Sequence, residues 1–285
     1  MTVDVEDYFQ VSAFEPHIAR TRWSEWPCRV ERNMERILAL FESRGVRATF
    51  FTLGWVAERY PQLVRRVADA GHEIASHGMA HVRVTQQEPA QFRADVSRAK
   101  ALLEDVSGTP VNGYRAASYS IGRDNLWALD VLAESGYRYS SSIYPIRHDL
   151  YGMPEAPRFA FRCKPGGILE LPVTTCVLGG KKFPCGGGGF FRLYPYAVSR
   201  WAIRRVNRAD GQPTIFYFHP WEIDPEQPRV ARVGAKTRVR HYLNLSRMEA
   251  RIGRLLDDFR WGRMDEVFPF AQTAAVFQAP AGVPA

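Results

Sequence analysis

The sequence is short of cysteine. Cys28, Cys163, Cys176 and Cys185 are the four in 285 residues. None forms a Cys-x-x-Cys pair and none stands beside a histidine, which excludes a disulfide framework and a cysteine zinc site and suits free thiols in a reducing compartment. Long apolar runs are missing too. After Met1 the chain reads TVDVEDYF, too charged for the apolar core of a signal peptide, and no stretch is long enough to span a bilayer. These absences lead to the expectation of a cytoplasmic protein, with peripheral attachment to a membrane as a variant. Because the chain opens on what reads as a core strand, residues upstream of Met1 are left open. A nucleotide loop is absent. The four glycines Gly186–Gly189 lack the Lys-Ser/Thr of a P-loop and do not fit Gly-x-Gly-x-x-Gly. No DNA- or RNA-binding motif accompanies the basic charge, so nucleic acid is not an expected partner.

What is present is a core and a basic surface. Hydrophobic residues make up 46% of the chain, and the formal charge is +8. The length suits one large domain. Arg and Lys crowd the stretch from Arg229 to Arg254, which reads either as a solvated face or as a patch for an anionic membrane or lipid phosphates. The last stretch, 271–285, is rich in Ala and Pro and is expected to be a disordered tail.

Strand and helix patterns alternate. Strands are expected at Thr2–Glu6, 46–53, 72–76, 111–118, 137–145, 168–175 and 214–222. Between them, apolar spacing predicts helices at Val30–Phe41, 55–71 with a break at Pro61, Pro89–Val106, Asn125–Ala133 and Tyr196–Val206, followed by a final helix at Ser246–Phe259. Seven strands alternating with helices imply a parallel sheet covered by helices, either a barrel or an open doubly wound sheet. In such folds the site lies at the C-terminal strand ends. Asp4/Glu6/Asp7, His77, Arg115 and His219 all fall there. His77 and His81 are four apart, so a helical turn would put both imidazoles on one face, as two ligands of one metal require. Asp4, Glu6 and Asp7 repel one another in a way that a cation would relieve. The region 147–167 reads as a surface excursion. The glycine run, within an inserted loop at 179–195, reads as a substrate-facing loop followed by exposed Phe190 and Phe191.

Four segments, TVDVED, SHGMAH, YRAAS and FYFH, resemble in order and spacing the motifs of the NodB-homology polysaccharide deacetylases, carbohydrate esterase family 4. The whole set is most similar to the group associated with exosortase-linked exopolysaccharide loci. The resemblance implies an α/β fold, a distorted (β/α)7 barrel, as a single domain with a C-terminal extension. The barrel would occupy 1–222 and a basic extension 223–270 would pack on it. It implies a metal-dependent hydrolase that removes N-acetyl groups from a glycan or its lipid-linked precursor. Asp4 matches the general base and Arg115 its ion-pair partner. His77 and His81 match the two histidine ligands, and His219 matches the general acid. The family's second motif aspartate is replaced by Val5, so the metal carboxylate is Glu6, on the same side of a strand as Asp4, with Asp7 as the alternative. Two imidazoles and a carboxylate suit a divalent ion, Zn²⁺ first. An oxyanion N–H is expected near Ser118–Tyr119. Tyr119 and Trp221 flank motif residues and are expected to stack on sugar rings. Two other readings stand beside this one: an allantoinase-like cyclic-amide hydrolase, and a non-catalytic carbohydrate-binding protein of the same fold.

Overall fold

A computed structural model of the chain describes residues 1–149, 151–270 and 274–278. Its strands are β1 (Thr2–Val5), β2 (Thr49–Thr52), β3 (Glu73–Ser76), β4 (Gly113–Tyr114), β5 (Tyr139–Ser140), β6 (Phe161–Arg162), β7 (Leu169–Glu170), β8 (Thr175–Leu178), β9 (Lys181–Pro184), β10 (Tyr217–Phe218) and β11 (Ala275–Val276). One sheet runs β10-β1-β2-β3-β4-β5-β7-β6-β11, and β8–β9 form a separate hairpin. The seven strands from β10 to β7 are mutually parallel, and they are the seven that the alternation of the sequence predicts. β6 runs antiparallel to β7 and has no counterpart in that reading.

The helices are α1 (Val30–Glu42), α2 (Gly54–Arg59), α3 (Pro61–Asp69), α4 (Pro89–Ser107), α5 (Trp127–Glu134), α6 (Gly188–Leu193), α7 (Tyr196–Arg205), α8 (Ala235–Tyr242), α9 (Leu245–Asp258) and α10 (Met264–Val267). α1 buries Val30, Met34, Ile37 and Phe41, one stripe at helical spacing. Pro61 does not kink a single helix. It opens α3 at a first-turn position, where a missing N–H costs nothing.

The glycine run closes the barrel. Beyond β7 the chain continues to Thr174, whose carbonyl accepts from Gly186 N–H at 3.1 Å. Gly186 in turn accepts from Tyr217 N–H at 2.8 Å, and Gly187 bridges Tyr217 in parallel. A Cβ on Gly186 would lie 2.4 Å from Ile215 O, and one on Gly187 would lie 2.7 Å from the Tyr217 ring. The run is therefore tightly packed between two strand ends. Phe191 is buried and Phe190 half-buried, against the expectation of two exposed rings.

β1 alternates in the way its sequence suggests. Val3 and Val5 pack outward into the main apolar cluster, while Thr2 and Asp4 meet Arg115 inside the barrel. The interior is polar and hydrogen-bonded. Glu73 accepts from Thr49 and Tyr139, and Glu170 accepts from the N–H groups of Ser142 and Ile143. The basic stretch is partly spent on internal contacts. Arg251 donates to the carbonyls of Phe191, Arg192 and Tyr194, and Arg254 lies 4.4 Å over the Tyr196 ring. Of the tail, Ala275–Val276 pairs with β6, while 271–273 and 279–285 lie outside the described residues.

Candidate metal centre and active site

Glu6, His77 and His81 are buried, and one ligand atom from each lies within 4.8 Å of the others. His77 follows β3 directly and His81 lies four residues on. The turn between them is not helical: Gly78 has φ +77° and His81 φ +51°. Side-chain crowding makes such values rare outside glycine. The expectation of a helical turn is thus corrected, while the convergence of the imidazoles stands, with ring centroids 5.1 Å apart.

β1 ends at Val5, yet Glu6 still projects toward the histidines. Its Oε2 lies 3.0 Å from His81 Nε2. That contact lacks hydrogen-bond alignment, so Oε2 is a buried carboxylate oxygen with no hydrogen-bond partner. Asp7 turns elsewhere. It accepts from the N–H groups of Tyr8, Arg29 and Val30, tying the β1 end to α1. This separates the two carboxylates that the sequence left in competition.

The donor set fits a divalent cation. His77 Nδ1 lies 2.8 Å from the Arg115 carbonyl, which fixes the N–H there and leaves the Nε2 lone pair for the site. Burial lowers His77 to about 4 and holds His81 well below its ordinary value, which favours neutral imidazoles. Burial likewise raises Glu6 to about 7, against the lowering charge of His219. Glu6 Oε1 accepts from Trp221 Nε1 at 3.4 Å, but the buried Oε2 beside the two imidazoles has no such partner, which is costly by itself, and a cation's charge offsets that cost.

Beside this triad stands an ion pair. Arg115, fully buried, donates from NH1 to Asp4 Oδ1 at 2.6 Å and to Thr2 Oγ1 at 2.8 Å. Its guanidinium also lies 3.9 Å over Phe51 and donates to the Ser141 carbonyl. Asp4 Oδ2 remains turned to His219, 3.9 Å from Nε2. His219 Nε2 is 3.5 Å from Glu6 Oε1, and Nδ1 is 3.1 Å from Glu222 Oε2. Burial pulls His219 down, but the hydrogen bond to Glu222 and the charges of Glu6, Glu222 and Asp4 prevail and raise it to about 9. Arg192 completes the relay: its Nε binds Glu222 Oε1 at 2.8 Å, and its other nitrogens reach the carbonyls of Arg240, His241 and Leu243. Burial raises Glu222, but Arg192 and His219 outweigh it and hold the carboxyl at about 2.

Glu222 and Arg192 escaped the sequence reading. A carboxylate three residues after a motif histidine was the available signal for the first. Nothing local marks the second, because its partner is 30 residues away.

Asp4, Glu6, His77, His81 and His219 line one cleft of about 730 Å³, walled by Val11, Ser12, Ala13, Glu15 and Pro16 on one side and by Lys236, Thr237, Arg240 and His241 on another. Tyr119 and Trp221 both line it, yet each is only 5% exposed. Trp221 stacks on His219 and on His241, with centroids 5.0 and 4.1 Å away. Tyr119 packs among Tyr144, Tyr151 and Tyr217. Neither presents an open face to a sugar, so the expected stacking platforms are walls that hold other rings. The Tyr119 N–H is also committed, donating to the Ala116 carbonyl at 3.0 Å, which removes it as an oxyanion donor.

Residues 24–140 match the family model described as polysaccharide deacetylase, and residues 141–269 match a domain of unknown function, DUF3473. The first half of the chain is thus similar to the polysaccharide deacetylases, and the second half to the DUF3473 region. The deacetylase match contains His77, His81 and Arg115. The DUF3473 region contributes β7, β10, His219, Glu222 and Arg192, and it runs across the boundary at residue 222 that the sequence suggested. A chitooligosaccharide deacetylase of Bradyrhizobium sp. is 32% identical over 99 residues, 35% of this chain and 43% of that protein. A peptidoglycan-N-acetylglucosamine deacetylase of Bacillus cereus is 32% identical over 73 residues, 26% of this chain and 26% of that protein. The chain thus spans less than half the length of these curated relatives. A Mycobacterium smegmatis crystal structure described as a "putative polysaccharide deacetylase" superposes with a TM-score of 0.64 at 20% identity, covering 99% of this chain and 93% of that one. It shows the distorted-barrel fold over the whole chain.

Proposed function

We propose that the protein is a metal-dependent N-deacetylase that removes acetyl groups from an N-acetylated polysaccharide or its lipid-linked precursor during exopolysaccharide synthesis. The observation that carries this is the meeting of Glu6, His77 and His81 with the Asp4–Arg115 pair on one side and the charged His219 on the other. The named relatives are a chitooligosaccharide deacetylase and a peptidoglycan-N-acetylglucosamine deacetylase, which supports an acetylated glycan as substrate, and the exopolysaccharide assignment rests on the resemblance of the motif set to the exosortase-linked group.

Glu6, His77 and His81 would hold the ion, Zn²⁺ first for a donor set of two imidazoles and a carboxylate. The ion would polarise the acetyl carbonyl and the attacking water. Asp4 Oδ2 takes a proton from that water as its oxygen bonds to the carbonyl carbon. Arg115 orients Asp4 through Oδ1. As the C–N bond breaks, the His219 Nε2–H protonates the departing nitrogen, giving acetate and a free amine. Glu222 and Arg192 keep His219 charged and in place. Such proton transfers contribute on the order of 10²–10⁴ in rate each.

The test is acetate release from N-acetylated oligosaccharides by protein freed of metal and then reloaded with Zn²⁺. Activity should vanish with chelator, return with metal, and fall on the order of 10²-fold or more in Asp4→Asn. Bound metal without acetate release, but with ring opening of cyclic ureides, would favour the allantoinase-like reading. Failure to bind any divalent ion would favour a binding protein.

A further inference from the structure

Among the described residues, eight large apolar side chains stand well exposed, and five of them fall between 178 and 201: Leu178, Phe183, Leu193, Val198 and Trp201. Four are on two adjoining elements. In the β8–β9 hairpin, Cys176 pairs with Phe183 and Leu178 with Lys181, so all four side chains share a face. Cys176 packs against Ala202 and Val206 at the end of α7, which sets that face beside the helix. On α7, Val198, Trp201 and Arg205 follow at helical spacing, and Arg205 Nε donates to the Val177 carbonyl. The apolar stripe of α7 therefore runs alongside the apolar face of the hairpin. Trp201 is the one exposed tryptophan among seven.

The rim of this surface is cationic. Lys181, Arg205 and Arg208 make no ion pair among the described residues, and the nearby acids are already taken, Asp210 by Arg158 and Asp258 by Arg200. A protruding tryptophan, phenylalanine and leucine ringed by uncompensated Arg and Lys match the boundary of an anionic bilayer. There the indole sits at headgroup depth and the cations meet phosphate. A self-contact would set these like charges against one another.

We propose that the β8–β9 hairpin and the outer face of α7 dock the protein on an anionic membrane surface. This places any membrane contact here rather than on the 229–254 stretch, several of whose arginines are spent on internal contacts. The claim is independent of the deacetylase reading.

The experiment is co-sedimentation of the full chain with vesicles of phosphatidylcholine alone and of phosphatidylcholine mixed with phosphatidylglycerol. Binding is expected only with phosphatidylglycerol and should weaken with added salt. It should fall roughly tenfold or more in Lys181→Glu/Arg208→Glu and in Trp201→Ala, at unchanged thermal midpoint. Quenching of the wild-type tryptophan emission by brominated acyl chains provides a measurement that needs no variant. The proposal is overturned by absence of binding to the anionic vesicles, by equal binding of the variants, or by concentration-dependent self-association that Trp201→Ala abolishes.

Discussion

Around His219 two ring nitrogens meet three carboxylates, and only one of the three is free of the reacting groups. Glu222 binds Nδ1 and the backbone N–H of His219, at 3.1 and 3.0 Å. Its room is made by a missing side chain: a Cβ on Gly188 would lie 2.1 Å from Glu222 Oε2. In Glu222→Gln the hydrogen bond weakens and a negative charge is lost, so burial prevails and the imidazole loses its proton at lower pH. A general acid works below its own pKa. The alkaline limb of kcat/KM, placed by a His219 held near 9, should therefore move to lower pH, with roughly a tenfold to hundredfold loss at neutral pH. Gly188→Ala, which displaces the carboxylate without removing it, should move the limb in the same direction. A pH–rate profile with both limbs unmoved in both variants would make Glu222 a structural residue and no more.

The glycine run is the element where sequence and structure part most clearly. As letters, four glycines read as a tight loop facing the substrate, not as the seam between two strands. In the fold, the first three stand where a methyl group would strike a carbonyl, a tyrosine ring and a carboxylate, while Gly189 on α6 meets nothing within 4 Å. Gly186→Ala must move backbone and should cost about 2 kcal/mol or more of stability. Gly189→Ala should be neutral or stabilise by up to about 1 kcal/mol, since alanine is the better helix residue. Equal thermal midpoints in the two variants would dispose of the closure argument. The same contrast explains what was legible. The parallel strands were readable because their apolar runs were bounded by glycine, and the candidate site was legible because Asp4, Glu6, His77, Arg115 and His219 stand at or just past the ends of such runs, with His81 four residues beyond His77. The strand lengths were not, since β4, β5, β7 and β10 keep only two paired residues each inside runs of eight or nine. β6, the hairpin, α6 and α8 lacked any period to find. What distinguishes Asp7 from Glu6 is the start of α1, whose N–H groups claim Asp7 across 22 residues of chain and leave Glu6 beside the histidines.

Taken as a whole, the molecule buries several ionisable groups in and around its barrel, and their linkage to folding is of mixed sign. Burial raises Glu73 and Glu170 to about 7. Burial also lowers His72 and His77 to about 4. Between the normal histidine and carboxylate values these two sets oppose each other, so the pH dependence of the wild type alone would not resolve them. A difference measurement does. Glu170 is buried on β7, between β5 and β6. One oxygen accepts from Ser142 and Ile143, both at 2.8 Å, and the other has no hydrogen-bond partner. Its folded value lies above its unfolded one, so from about pH 4.5 to 7 the folded state holds a proton that the unfolded state has released. Stability assigned to this group is therefore full below 4.5 and is lost as pH rises through 7. Glu170→Gln removes that loss and keeps an oxygen for the two N–H groups. Urea unfolding of metal-free protein should show the variant's stability rising relative to wild type across this window. The gain should approach on the order of 3 kcal/mol above pH 7, from a shift of 4.5 to about 7 at about 1.4 kcal/mol per unit. A stability difference that does not change between pH 4.5 and 7.5 would mean that Glu170 is ionised in the fold, held by the Arg115 guanidinium despite its burial.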